Sequence, residues 1–170
     1  MKRTKLVRRT PLNLVAGRKP RKPLRLKGVS TSAQIKDRIQ ALVRAIVIKR
    51  DGGCILRNIP QLVGPCNGYN KDGNLILQAD HLITRGNSAT FADTRLIVCL
   101  CKGHHGGYKK WNKERYDVLV RDIIGPVRSK LWDDCLRSSY KATHMTSSDW
   151  KLAEVALEQE KMEYNKYHPL

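Results

Sequence analysis

A helical hydrophobic pattern begins soon after residue 30. Its apolar positions, spaced three and four residues apart, are Ile35, Ile39, Leu42, Val43 and Ile46. One of the hydroxyl side chains of residues 30–32 can cap the helix by accepting hydrogen bonds from first-turn amides. Glycine tolerates the left-handed backbone that ends many helices, so the sequence Asp51-Gly52-Gly53 predicts the C-terminus. The pattern therefore predicts one amphipathic helix from about residue 30 to residue 51.

Two strand-length apolar runs lie in the middle of the chain. They are rich in Leu, Ile and Val, and they read NLILQAD in residues 74–80 and RLIVCLC in residues 95–101. A polar stretch with Gly, Asn and Ser separates them, and the upstream residues 54–74 have the Pro and Gly content of a loop. We therefore expect two antiparallel strands joined by a long loop.

The second half of the chain carries helical patterns. Four helices are predicted there, over residues 103–111, from Asn112 to Gly125, over residues 127–140 and from Ser148 to about Lys166. Asn112 can cap the second of these helices, and the Gly125-Pro126 pair ends it. The residues that the last helix is predicted to bury are Trp150, Leu152, Val155, Ala156 and Met162. Together with the two strands, these helices predict an α+β fold.

The first 28 residues differ in composition from the rest. They contain eleven Lys and Arg residues, three prolines, no Asp or Glu and no hydrophobic period. This composition predicts a disordered arm that orders on a partner. The arm residues expected to contact nucleic acid are Arg8, Arg9, Arg18, Lys19, Arg21 and Lys22. We divide the chain into the arm (residues 1–28), a domain with the first helix and both strands (residues 29–126) and a C-terminal helical extension (residues 127–170).

The charge of the chain favours a polyanionic partner. The net charge is +18, of which the arm supplies +11 and residues 29–170 the remaining +7 (+18 minus +11). Lys and Arg residues that meet phosphates release condensed counterions, which favours nucleic acid; solubility alone is the alternative. No apolar run approaches the roughly 20 residues that cross a bilayer, and no secretory signal opens the chain. We therefore expect a cytoplasmic protein with no membrane partner.

Four Cys and His residues have the chemistry of a structural zinc site. In a reducing compartment, the five cysteines are better explained as metal ligands or buried thiols than as disulfides. Cys101 and His104 are spaced C-x-x-H, which lets one tight turn supply two ligands to a tetrahedral ion. Cys54 and Cys66 would complete the site, although ordinary thiols are the alternative for this widely spaced pair. The remaining cysteines, which we expect in the core, are Cys99 and Cys135.

A second group of polar residues lies where the predicted strands end. Asp80 and His81 end the first strand, and His105 begins the helix after the second. Bringing these elements together would place a carboxylate and two imidazoles around one small volume. A hard divalent ion held by Asp80 and His105 could neutralise a scissile phosphate while His81 takes a proton from water. An isolated Asp-His pair is usually without a catalytic role, so the prediction depends on the joint arrangement.

The stretch that contains these residues, ADHLITRGNSATFADTRLIVCLCKGHH, resembles the HNH, ββα-metal or His-Me finger nuclease motif. In that motif a DH or GH pair ends strand one and a C-x-x-C-H knuckle opens the helix; here C-x-x-H-H takes its place. HLITRGNSA, the later Tyr116–Leu119 and Gly125 are similar to the NinG/Rap phage recombination nucleases. The C-x-x-H-H ending with an upstream aspartate also resembles the Ref family of RecA-dependent phage nucleases. The resemblance covers roughly residues 50–125 and leaves the C-terminal helices unexplained.

The resemblance implies a ββα-metal core stabilised by zinc, in a phage or prophage protein that acts on DNA. It further implies a catalytic Mg²⁺ or Mn²⁺ held by Asp80 and His105, with His81 as the general base. The family usually has an asparagine in the middle of the motif that braces the long loop. Here Asp93 or Asn87 could take that role, and the sequence leaves the choice open.

Further cations and aromatic residues lie beside the expected site. Arg85 in the loop, Lys109 one turn into the predicted helix and the neighbouring Lys110 could hold phosphates; solvated surface cations are the alternative. Tyr108 and Trp111 could stack on unpaired bases, although aromatic residues at such positions more often belong to the core.

We therefore predict a metal-dependent HNH DNA endonuclease that is structure-specific and acts on branched or partly single-stranded recombination intermediates. A zinc-stabilised DNA-binding module with a vestigial nuclease site is one alternative, and a sequence-specific homing-type nuclease is another. The C-terminal helices would serve as a reading head or as a homodimer interface. Recombination proteins are candidate partners.

Overall fold

The computed structural model describes residues 31–84, 88–138 and 145–168. Within these residues the chain is α+β, mostly helical with one sheet of two strands, as predicted. In chain order the elements are α1 (Ser32–Asp51), α2 (Pro60–Val63), β1 (Leu77–His81), β2 (Ile97–Cys101), α3 (Lys109–Trp111), α4 (Lys113–Ser138) and α5 (Ser147–Tyr167). A π-helical turn, His104–Tyr108, leads from β2 into α3. The predicted arm, residues 1–28, lies outside the described residues.

Both predicted ends of α1 are confirmed. The hydroxyl of Thr31 accepts a hydrogen bond from the Gln34 amide, and the Gln34 side chain accepts one from the Thr31 amide, which is a capping box. Gly52 ends the helix with a left-handed φ of 62°. The buried face consists of Ile35, Ile39, Val43, Ile46 and Val47. The spacing of apolar residues was therefore a sufficient guide to this helix.

The two strands separate two hydrophobic clusters. They pair antiparallel, with Asp80 opposite Val98 and His81 opposite Ile97. The first cluster lies between the sheet and α4 and includes Cys54, Leu56, Val98, Leu100, Cys101, Tyr116, Val120 and Trp132. The second lies between the sheet, α1 and α5 and includes Ile35, Ile39, Val43, Ile97, Cys99, Trp150 and Leu157. Because successive strand residues face opposite sides of a sheet, Asp80 and His81 point towards different clusters.

The two cysteines predicted in the core lie in different surroundings. Cys99 is buried in the second cluster, whereas Cys101 belongs to the first. Strict alternation along β2 would place both thiols on one face, but Cys101 is the last residue of the strand and the chain turns there. Cys135 is only partly buried and packs against the first cluster.

The predicted break at Gly125-Pro126 divides α4 into two helical segments. Gly125 has φ 78° and ψ 172°, which no α-helix contains and which glycine adopts without strain. The segment before the break places Tyr116 and Val120 in the first cluster, and the segment after it adds Trp132. The break thus lets both halves of α4 pack on the same side of the sheet.

The prediction for the buried face of α5 is largely wrong. Trp150 is buried as expected, but Leu152, Val155 and Met162 are 69%, 50% and 64% exposed, and Ala156 is exposed as well. The face that meets α1 instead combines Trp150, Ala153 and Leu157 with polar partners. The polar contacts with α1 are the Arg38–Glu154 ion pair and the Lys49–Asn165 hydrogen bond, and Glu160 also hydrogen-bonds to Thr94 in the turn before β2. A search for apolar residues alone could not find this mixed face.

None of the helices in the described residues has the length and apolar content that crossing a bilayer requires.

Candidate metal centre and acid-base cluster

The four residues predicted to bind zinc come together at one end of the sheet. Cys54 follows α1, Cys66 lies in the loop after α2, Cys101 ends β2 and His104 opens the π-helical turn. Their ligand atoms all lie within 4.8 Å of one another. Cys54, Cys101 and His104 are buried and Cys66 is partly buried. The prediction that these four residues form one cluster is confirmed.

Hydrogen bonds orient the His104 ring for metal binding. Its Nε2 lies 3.2 Å from the carbonyl oxygen of Gly64. A carbonyl can only accept, so Nε2 carries the proton and Nδ1 keeps its lone pair. Nδ1 faces the thiols of Cys54 at 3.3 Å and Cys66 at 3.9 Å. An imidazole fixed in this way beside three thiols is a ligand set able to hold a metal ion such as zinc.

A close backbone contact shapes the turn that carries Cys101 and His104. The Gly103 amide donates to the carbonyl oxygen of Asn67, 3.2 Å away. A Cβ atom at Gly103 would lie 1.5 Å from the side-chain oxygen of Asn67. Any larger residue at position 103 would force the Asn67 side chain to move, so glycine allows the loop that supplies Cys66 to approach the turn closely. The C-x-x-H pattern contains this glycine without indicating why it is needed.

The thiols differ in how readily they ionise. Burial raises the pKa of Cys54, and burial together with the Cys54 thiol raises the pKa of Cys66 to about 12. Burial also acts against ionisation of Cys101, but hydrogen bonds from the backbone amides of His104 and Asn67 outweigh it and lower the pKa of Cys101. Cys101 is therefore the thiol of the cluster that ionises most readily, and a bound cation would be needed to stabilise three thiolates.

A second cluster surrounds Asp80, which is only 2% exposed. The Nζ atom of Lys109 lies 2.7 and 2.8 Å from its two carboxylate oxygens, and the Tyr116 hydroxyl donates at 2.5 Å. His105 Nε2 lies 3.2 Å from the same carboxylate. Lys109 also donates to the backbone oxygen of His81 at 3.3 Å. The predicted pair Asp80 and His105 is thus brought together, with an ammonium group already on the carboxylate.

The surroundings of Asp80 keep it ionised. Burial by itself would raise the pKa of this carboxyl, but hydrogen bonds from His105, Lys109 and Tyr116 and the charge of Lys109 outweigh burial, so the pKa of Asp80 is lowered. Burial and the neighbouring Asp80 charge raise the pKa of the Tyr116 hydroxyl, which therefore stays protonated and donates. Asp80 is consequently an anion that three donors hold in one orientation.

Asp80→Asn is expected to lower the free energy of unfolding by roughly 3 kcal/mol, because it leaves Lys109 without its partner. The folded pKa of Asp80 is lowered, so its stabilisation is complete above the unfolded value of about 3.9 and is lost as the pH falls through the folded value. Urea unfolding between about pH 6 and pH 3 should therefore show a steeper loss for wild type than for the variant.

Asp93→Asn is the matched control for this measurement, because Asp93 pairs with the exposed Arg95 at the surface. Release of a metal ion in acid would affect all three proteins, so only the difference between them reports on Asp80. Equal slopes for wild type and Asp80→Asn would contradict the buried ion pair.

His81 and His105 line one cleft of about 550 Å³. Its opposite wall is the outer face of α1, and Phe91 closes one side. His81 is partly buried, and its Nε2 lies 3.2 Å from the carbonyl oxygen of Phe91. As at His104, a carbonyl partner places the proton on Nε2 and leaves Nδ1 as the basic nitrogen. His81 and His105, the two histidines predicted to act in catalysis, therefore border the same cleft.

Asp93, one candidate for the middle residue of the predicted motif, lies at the entry into β2. The Asp93 carboxylate accepts hydrogen bonds from the Arg95 amide and guanidinium, and it caps the short 3₁₀ turn Thr94–Leu96. Among the described residues the Asp93 side chain thereby braces the entry into β2, and its role in holding the loop amides stays a prediction. The other candidate, Asn87, and the predicted phosphate ligand Arg85 lie outside the described residues.

The other residues predicted to contact nucleic acid differ in how exposed their side chains are. Lys110 is exposed and lies 5.4 Å from the ring of Trp111, which is itself 77% exposed. Trp111 is therefore not a core residue. Tyr108 is partly buried, and its buried hydroxyl has no hydrogen-bond partner among the described residues. Lys109 would have to leave Asp80, or serve both groups, in order to hold a phosphate.

Sequence reasoning missed the hydroxyl of Tyr116 as a partner of Asp80. A signal was present, because His105, Lys109 and Tyr116 follow one another at spacings of four and seven residues, which align on one helical face. The helix is broken at Asn112, between α3 and α4. The three positions therefore do not belong to one continuous helical pattern in the sequence. Sequence reasoning also missed Arg44, which lines the cleft from α1, and no spacing pattern in the sequence indicates that role.

The fold and site define a small α+β protein with a Cys₃His cluster beside a buried Asp-Lys-Tyr cluster. Comparison of the chain with protein-family models, with curated proteins and with solved structures finds no significant match. The functional argument therefore depends on the chemistry of these residues.

Proposed function

We propose that the protein is a metal-dependent DNA endonuclease of the HNH type that acts on branched or recombination-intermediate DNA. The observation that carries the proposal is the cleft bordered by both His81 and His105, with the Asp80 carboxylate in direct contact with His105. A basic nitrogen and an imidazole that border one open space, with a fixed anion in contact with that imidazole, are groups that phosphodiester hydrolysis can use. The net charge of +18 supports a nucleic-acid substrate.

The Cys₃His cluster serves this site as a structural zinc centre. His104 supplies its Nδ1 atom to the cluster, and the next residue, His105, contacts Asp80. A metal ion that holds His104 would therefore also hold the backbone from which His105 projects. Four protein ligands complete a tetrahedral zinc ion and leave no open position for catalysis. The role of this ion is to support the fold.

The surroundings of Asp80 fit a second, hard cation. The Lys109 ammonium lies between three oxygen atoms, the two of the Asp80 carboxylate and the backbone oxygen of His81. These oxygens and His105 Nε2 are a donor set suited to Mg²⁺ or Mn²⁺. Such an ion would neutralise charge on the scissile phosphate and its leaving oxygen. Asp80 and His105 would hold it once Lys109 moves aside and His105 carries its proton on Nδ1, so that the Nε2 lone pair is available.

His81 supplies the base in this proposal. The carbonyl of Phe91 fixes its ring through Nε2–H, so Nδ1 is the nitrogen that accepts a proton from the attacking water. A carbonyl partner orients the ring and determines its tautomer, as partners of catalytic histidines generally do.

A zinc-stabilised DNA-binding module is the second candidate, and one observation favours it. The Asp80 carboxylate already has Lys109 on both oxygens and Tyr116 on one of them. A carboxylate with these partners could serve the fold alone, with the neighbouring histidines as bystanders. The module would bind DNA through its basic residues and would not cut it.

Incubation with supercoiled plasmid and with synthetic four-way junctions tests the proposal. We expect nicking with Mg²⁺ or Mn²⁺, no nicking with EDTA and faster cutting of junctions than of linear duplex. A His81→Ala preparation made in parallel excludes a contaminating nuclease. Retention of DNA without any metal-dependent nicking would contradict the nuclease and support the binding module.

Deletion of residues 1–28 is expected to weaken DNA binding and to flatten its salt dependence. The arm carries eleven Lys and Arg residues, and each phosphate contact contributes a slope of about 0.9 in a plot of log affinity against log salt concentration for duplex DNA. Titrations at several salt concentrations measure the slope, and circular dichroism should show an unchanged fold. An unchanged salt slope would show that the arm has another role.

A further inference from the structure

We propose that Arg44 of α1 binds a backbone phosphate of the substrate strand and so positions the strand across the cleft of His81 and His105. The inference deepens the proposed function and rests on it for the identity of the substrate. Arg44 is exposed and lines the cleft together with both histidines. Its role would be positioning, because the reacting atoms lie at the histidine side.

The guanidinium of Arg44 is anchored to the strand that carries the histidine. Its Nη2 donates to the carbonyl oxygen of Leu77 at 2.8 Å. Leu77 is the first residue of β1, and His81 is the last. Arginine has five N–H donors, and within the described part of the chain this is its one hydrogen bond. The anchor therefore fixes the group while leaving donors for a ligand.

Charge within the cleft favours Arg44 as the phosphate ligand. Among the described residues that line the cleft, Arg44 is the sole Lys or Arg. Lys109, another cation of the site, is bound to the buried Asp80 carboxylate. Without Arg44, a phosphodiester that enters the cleft would meet two histidines and, among the described lining residues, no permanent positive charge. Arginine also presents paired donors that match two phosphate oxygens.

The neighbours of Arg44 restrict where the phosphate can lie. Asp37, Gln40 and Arg44 project from successive turns of α1 into the same cleft. The Asp37 carboxylate repels phosphate, so the phosphate belongs at the Arg44 end and the sugar or base at the other. Between these ends the small side chains of Ala41 and Ala79 line the cleft and leave room for the strand.

Arg44→Ala is expected to raise both the KM for junction cleavage and the Kd of the junction in EDTA. The expected increase is about 10- to 100-fold, which is the affinity that one hydrogen bond between charged groups contributes. Loss of one phosphate contact should also reduce the salt slope of binding by about one unit. Arg44→Lys, which keeps the charge without the paired donors, should recover part of the affinity. The change in kcat should be smaller than the change in KM.

Arg57→Ala is the matched control, because Arg57 is also exposed and donates to one backbone oxygen, that of Gly52, away from the cleft. Its KM, Kd and salt slope should stay within twofold of wild type.

If wild type cuts DNA and Arg44→Ala matches Arg57→Ala in KM, Kd and slope, the inference is overturned and the nuclease stands. If wild type does not cut but Arg44→Ala alone loses affinity in EDTA, the nuclease fails and Arg44 remains a phosphate ligand. Circular dichroism and metal content of each variant show whether it is folded.

Discussion

Protein purified without added metal is expected to contain one zinc ion per chain, and its removal should unfold the residues around the sheet. Cys54 and Cys101 are buried members of the first hydrophobic cluster, so the metal ligands and the core share side chains. Structural zinc contributes about 10–16 kcal/mol in zinc-finger peptides at neutral pH. The total stability of a domain is about 5–15 kcal/mol. Loss of the ion would therefore remove a stabilisation about as large as the total stability of a domain.

Elemental analysis measures the zinc content, and circular dichroism during titration with a chelator follows unfolding. Cys54→Ser loses one of four ligands, so it should contain less than about a tenth of an equivalent of zinc. It should also be unfolded at 25 °C. Cys135→Ser is the control, because Cys135 is a partly buried free thiol on α4 outside the cluster. It should keep both its zinc and its fold. A metal-free wild type with native stability would show that the cluster consists of ordinary buried thiols.

His81→Ala is expected to reduce DNA cleavage by about 10²- to 10⁴-fold, the range that general-base catalysis supplies. Binding should survive, because affinity comes from cations distributed along the chain, whereas cleavage depends on one proton transfer. Single-turnover cleavage of a junction and its Kd in EDTA separate the two effects. His81→Gln is a second variant in which the side chain can still occupy the space beside Phe91, so that a loss of rate cannot be assigned to a cavity.

His105→Ala and Asp80→Asn should differ from His81→Ala in their metal dependence. They remove proposed ligands of the divalent ion, so the Mn²⁺ concentration needed for half-maximal rate should rise as well. His168→Ala is the control for removing an imidazole, because His168 is exposed at the end of α5. It should cut at the wild-type rate. Wild-type cleavage by His81→Ala would disprove its assignment as the base and strengthen the case for a DNA-binding module.

Local features of this protein were predictable from the sequence because short-range spacing determines them. The cap and C-terminal glycine of α1, the two strands and the break at Gly125-Pro126 each depend on residues within one or two turns of chain. The metal cluster was predictable for another reason. Cys and His side chains have few alternative uses in a basic, disulfide-free chain, so their chemistry compensated for the long separation between Cys54 and Cys101.

Contacts between distant segments were decided only by the tertiary structure. Lys109 and Tyr116 both reach the Asp80 carboxylate of β1. Their spacing in the sequence aligns them on one helical face, but it does not indicate that this face meets Asp80. The same holds for α5, whose contact with α1 includes an ion pair, and for Arg44, which borders the cleft because α1 lies across the sheet. Hydrophobic pattern indicates which residues prefer burial, but the choice among partners depends on how rigid elements fit together.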